Sequence, residues 1–219
     1  MGTITRAFAN NITTSGVFKP TAFNNASFDN VTAVPSGAVE GGNMVLLSTQ
    51  TASSSASISF TTGIDSTYKE YMFIFNNIHP SSAGYLFTFN LSTDGGSNYN
   101  VTKTSTVFQA YHTESDSLTS LTYRTDIDLA QSTGYQTIGH DVGADADQST
   151  SGILHLFNPS STTYVKHFIS RSSSVTLGDY SFDSHYAGYA NTTSAINAID
   201  FKMASGNIDA GTIQMFGIL

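Results

Sequence analysis

The chain has 219 residues, no Cys, no Trp, and a formal net charge of −8 from 8 Lys+Arg against 16 Asp+Glu. The missing cysteines exclude a disulfide framework, a thiolate metal centre and a cysteine nucleophile, and the few, outnumbered basic residues argue against a surface built to wrap nucleic-acid phosphate. Charged residues make up only 11% of the chain and about 60 serines and threonines take their place, yet 39% hydrophobic content with 15 Phe and 11 Tyr supplies a core rather than disorder.

In chain order, residues 1–40 come first. Large apolar residues occur there singly, among them Phe8, Phe18, Phe23 and Phe28, with polar residues between them. Such a segment cannot form its own core. It reads as an extended arm whose aromatics plug into a partner or a neighbouring subunit; a flexible tail or a pair of edge strands is the other reading. The opening MGTITRAFANN lacks the apolar centre of a signal peptide, and no apolar run approaches the ~20 residues of a membrane span.

Residues 41–219 read as one domain. Ile58 and Phe60 alternate with serines, the period of a half-buried strand. Tyr71 to Phe75 is apolar on both faces, which suits a central strand with core on one side and a subunit contact on the other. Tyr71, Phe73 and Phe75 are therefore interface candidates beside the four arm phenylalanines. A turn at His79-Pro80-Ser81-Ser82 leads into a strand with Tyr85, Phe87, Phe89 and Leu91 on one face and Thr88, Asn90 and Ser92 on the other. Asp94-Gly95-Gly96 ends it, Asn158-Pro159-Ser160-Ser161 ends a run at Ile153–Phe157, and Ser205-Gly206-Asn207 divides the last two strands, which carry Ile199, Phe201, Met203 and then Ile213, Met215. The hydroxyls alternate with these apolar residues and are expected mainly on outward faces and in turns. Only three acids are Glu (Glu40, Glu70, Glu114), and the chain is poor in helix-building residues while rich in strand-building ones. The expected fold is all-β: an antiparallel jelly-roll-type sandwich of nine or ten strands after the arm, with an immunoglobulin-like sandwich as the alternative.

Chemistry is sparsely signalled. No Gly-x-Ser-x-Gly elbow accompanies the many serines. Asp126 and Asp128 would share a face of a strand, but no Glu stands with them. His112, His155, His167 and His185 each stand alone. Asp141, Asp145 and Asp147 lie within seven residues beside Gly143 and are weak calcium candidates, since they lack the spacing and closing Glu of a calcium loop. No cofactor and no catalytic residue are expected, and the chain is read as a non-enzyme.

Several segments together resemble small virion proteins of tailed bacteriophages, of the kind described in marine phages as tail-fibre-like or structural. They are TITRAFANNITTSGVFKPTAFNNASFDNVTAVP at the start, LLSTQTASSSASISFTTGIDSTYKEYMFIFNNIHP and STDGGSNYN in the middle, and FKMASGNIDAGTIQMFGIL at the end. The resemblance implies an oligomeric β-sandwich exposed on a virion and assembled in the host cytoplasm. The expected function is a tail fibre or appendage component contributing to host attachment, acting as a homotrimer that meets other virion proteins and a host-surface glycan. The alternative is a capsid decoration or head-fibre protein. Neither nucleic-acid binding nor membrane insertion is expected.

Overall fold

The computed structural model describes residues 44–219, and every structural statement concerns these residues. They form twelve strands and no helix: β1 (Met44–Thr51), β2 (Ile58–Phe60), β3 (Glu70–Pro80), β4 (Tyr85–Ser92), β5 (Lys103–Thr113), β6 (Thr119–Tyr123), β7 (Gln136–Val142), β8 (Thr150–Phe157), β9 (Lys166–Val175), β10 (Tyr180–Ala190), β11 (Ala198–Met203) and β12 (Ile208–Ile218). An eight-stranded sheet runs β1-β12-β3-β8-β9-β10-β5-β6, and a four-stranded sheet runs β2-β11-β4-β7. All pairings are antiparallel.

The alternating faces read from the sequence explain how the sheets meet. Phe73 and Phe75 of β3 and Phe168 of β9 project from the large sheet, while Phe60, Phe87, Phe89 and Phe201 project from the small one; all are buried. Their rings cross the gap edge-on or tilted: Phe60–Phe73 at 5.6 Å, Phe73–Phe201 at 5.5 Å, Phe75–Phe87 at 5.3 Å and Phe89–Phe168 at 5.2 Å. Each ring so buried contributes roughly 1.5–3 kcal/mol of transfer free energy, and the edge-on arrangement adds a smaller electrostatic gain. The fold is thus a two-sheet, sandwich-like all-β domain.

Two expectations about faces change. Thr88, Asn90 and Ser92 lie on the outer face of β4 as expected, yet all three are buried, because the segments after β4 and before β7 cover the small sheet. Farther along the large sheet, polarity inverts. Ser170, Ser172 and Ser174 of β9 point inward and are buried, whereas Ile169, the residue just before them, is 51% exposed. Two of the inward serines are tolerated because their hydroxyls find partners: the Ser170 hydroxyl donates to the Ile153 carbonyl at 2.7 Å, and Ser174 Oγ lies 2.8 Å from Thr150 Oγ1. A buried hydroxyl costs little once it is hydrogen-bonded.

The predicted turns hold with one shift. His79 and Pro80 belong to the end of β3, where Pro80 pairs with Ile208, and the chain reverses through Ser81 to Gly84, whose φ is +79°. Asp126 and Asp128 lie in the loop after β6 rather than on a strand, so the shared-face reading fails. Asp126 instead accepts two bonds from Arg124, and Asp128 accepts from the Tyr123 hydroxyl at 2.7 Å.

Candidate functional site

The outer face of the large sheet is the most extensive candidate surface. Strand alternation aims every second side chain of β1, β12, β3, β8, β9, β10, β5 and β6 away from the core. Register then lines these side chains up across the strands. One row reads Leu46, Phe216, Met72, His155, Ile169, Ala187 from β1 to β10. The next reads Ile74, Ile153, Arg171, His185, Phe108, Tyr123 from β3 to β6. Leu46, Ile169, Phe108 and Tyr123 are each about half exposed (52%, 51%, 47% and 50%). A sheet face that looked only onto water would carry mainly polar residues at these positions.

The charges on this face neutralise one another. Arg171 grips Asp183 with both ends of its guanidinium, Nε to Oδ1 at 2.9 Å and the terminal nitrogen to Oδ2 at 2.8 Å. The Arg171 contact holds the Asp183 carboxyl below its usual range. His185 stacks on Phe108 with centroids 4.6 Å apart and planes 8° from parallel. His155 contacts the Glu70 carboxylate. With its charges paired internally, the face offers apolar area plus orienting polar groups, the composition of a protein–protein interface.

A second cluster lies between the sheets. Arg124 contacts Gln109 Oε1, donates to His140 Nε2 at 2.9 Å and grips Asp126. The bidentate contact holds the Asp126 carboxyl down at about 2. Burial, with the Arg124 charge adding to it, pushes the His140 imidazole down to about 4. His140 is therefore neutral, its Nε2 accepting and its proton on Nδ1. Tyr186 OH and Ser172 Oγ are buried nearby in the sheet with no protein partner, and burial raises the Tyr186 hydroxyl to about 12.

The predicted site residues fare differently. Phe8, Phe18, Phe23 and Phe28 lie outside the described residues. Tyr71, Phe73 and Phe75 are fully buried in the core and point away from the outer surface; the outward-facing residues of that strand are Met72 and Ile74, one step out of phase. Asp141, Asp145 and Asp147 do not converge. Gln148 organises that loop, accepting from the Asp145 amide at 3.1 Å and donating to Asp179 at 3.1 Å, and among the described residues no three His, Cys, Asp or Glu side chains gather into a metal-holding group. His112, His155 and His185 each take a local acidic partner instead of meeting one another. Arg171, Asp183, Ile153, Ile169 and Phe108 were not legible as site residues, because strand register, not spacing, brings them together.

No family model matches the chain, and no curated protein or solved structure is similar to it.

Proposed function

We propose that this protein is a non-enzymatic structural component of a bacteriophage virion, a tail fibre or appendage subunit that acts as a homotrimer and contributes to host-surface attachment. The observation that carries the reading is the apolar, charge-paired outer face of the eight-stranded sheet. With eight strands ~4.8 Å apart and about nine residues along each at ~3.3 Å per residue, that face spans on the order of 1,000 Å², enough for the roughly 800 Å² that each partner of a stable complex buries. A second and third copy of the same chain are the proposed occupants. Closed symmetry then presents several copies of the remaining surface, so weak contacts with a host glycan add through avidity. The resemblance of the opening, middle and closing segments to phage virion proteins supports the same reading.

The strand order supports a jelly roll. β1-β12-β3-β8 faces β2-β11-β4-β7, the nested pairing of an eight-strand roll, and the pairs β5-β6 and β9-β10 extend one sheet.

Native mass spectrometry of the full chain tests the assembly. The expected result is a trimer that Ile169→Asp, placed at an exposed position, converts to monomer with unchanged circular dichroism. A wild-type monomer at high concentration overturns the assembly. Antibody labelling of particles tests the location: tens of copies or fewer at the tail support the appendage, and hundreds over the head make it a capsid decoration protein.

A further inference from the structure

The covered outer face of the small sheet holds an arrangement that no part of the virion reading uses. Lys103, at the start of β5, is completely buried, and so is Asn90 of β4. The Lys103 Nζ contacts Asn90 Oδ1 and donates to the Val101 carbonyl at 2.8 Å. Both partners are uncharged, and among the described residues no carboxylate pairs with this amine. The Asn90 carboxamide is held from every side. Its Oδ1 also accepts from the Leu91 amide at 2.9 Å, and its Nδ2 donates to the carbonyls of Tyr99 at 2.6 Å and Thr133 at 3.0 Å. Directly opposite Asn90 on β11 stands Asp200, itself buried, on the same face of the sheet. Opposed residues of this kind have Cβ atoms about 4.5–5.5 Å apart. Asp200 accepts from the Ser59 hydroxyl at 2.5 Å and the Tyr135 hydroxyl at 2.9 Å.

We propose that Lys103 and Asn90 are joined by an intramolecular amide bond that forms spontaneously once the chain has folded. The Nζ lone pair attacks Asn90 Cγ, and the Nζ–Cγ bond forms. The Cγ–Nδ2 bond breaks, and Nδ2 departs as ammonia, carrying the proton that Nζ gives up. One amine and one carboxamide thus become one secondary amide and one ammonia, with no oxidation or reduction. The Leu91 amide stabilises charge developing on Oδ1, as an oxyanion donor does. The Tyr99 and Thr133 carbonyls hold the departing nitrogen. Asp200, the acid in register with the reacting carboxamide, relays the proton.

The chemistry requires a lysine with a free lone pair, and burial supplies one by pulling Lys103 down to about 7. Lys166 is the internal contrast. It is equally buried, but its Nζ reaches only the Thr192 carbonyl at 3.0 Å, so it has no electrophile. The bond would staple the loop between β4 and β5 as a disulfide does, in a chain with no cysteine.

Intact-mass spectrometry of the full protein is the test. The expected mass is about 17 Da below that of the sequence, one ammonia lost. Trypsin should leave Lys103 uncut, and fragment ions between residues 90 and 103 should be missing. Asn90→Ala should restore the sequence mass and cleavage at Lys103, and Asp200→Asn should leave the bond unformed while circular dichroism stays native. A wild-type mass equal to the sequence overturns the proposal. So does an ammonia loss, such as a succinimide, with Lys103 still cleaved. Bond formation in Asp200→Asn overturns the role of Asp200. None of these readouts depends on where the protein sits on a particle.

Discussion

At the scale of single residues, His140 is the most exacting position. Its Nε2 accepts from Arg124, a bond that needs the neutral ring, and a second positive charge there would face the guanidinium. Unfolded, the imidazole titrates near its usual 6.5; folded, it titrates at about 4. Between these values the unfolded chain binds more protons, so this group's contribution is complete above pH 6.5 and is lost as pH falls toward 4. Asp126, held at about 2, adds its own loss only below the ordinary carboxylate range. His140→Gln, which keeps an acceptor but does not titrate, should lose less stability than wild type between pH 7 and pH 4. The expected difference is on the order of 1–2 kcal/mol after solvent screening, read from urea midpoints; equal losses in the two proteins would refute the linkage. Nothing in the local sequence announced this, since Arg124 and His140 meet only because the loop after β6 folds back over β7. The Arg171–Asp183 grip, by contrast, lies on an exposed face and adds little stability.

At the scale of elements, β12 shows how far pattern carries. Ile213 and Met215 are buried as their alternation implies, and the turn at Ser205-Gly206-Asn207 stands where its composition put it. Pattern did not reveal that β12 bulges against β3. The register slips on both sides of Ala210, and Gly211 takes a φ of +117°. A Cβ on Gly211 would lie 2.6 Å from the Asn77 carbonyl oxygen. Gly211→Ala should therefore lower stability by about 1–3 kcal/mol through backbone strain and the clash. A urea midpoint unchanged from wild type would show that the bulge relaxes freely. The β9 serines teach the converse lesson. A serine alternating with large residues looks outward by pattern, yet Ser170 looks inward, because the neighbouring strand presents the Ile153 carbonyl as an acceptor that one strand's sequence cannot display.

At the scale of the whole molecule, the pairings join distant parts of the chain. Met44 pairs with Ile218 and Ile58 with Phe201. Loop closure must precede such contacts, so high-contact-order sandwiches fold slowly. Refolding from urea should proceed in roughly milliseconds to seconds or longer. A stopped-flow phase that recovers the whole signal in microseconds would contradict this topology.

The sequence by itself determined the all-β class, most strand cores and the turns that separate them, because alternation and turn chemistry are local properties of neighbouring residues. It also placed Tyr71 to Phe75 in a strand that proves central. Tertiary structure alone decided which face of that strand meets the core, and it turned Tyr71, Phe73 and Phe75 inward, leaving Met72 and Ile74 outside. It decided that Asn90, Lys103 and Asp200 share one covered face, and that the apolar rows of the large sheet run across strands instead of along them. The physical reason is the same in each case: register and sheet order are set by contacts between residues far apart in the chain, which no local pattern encodes.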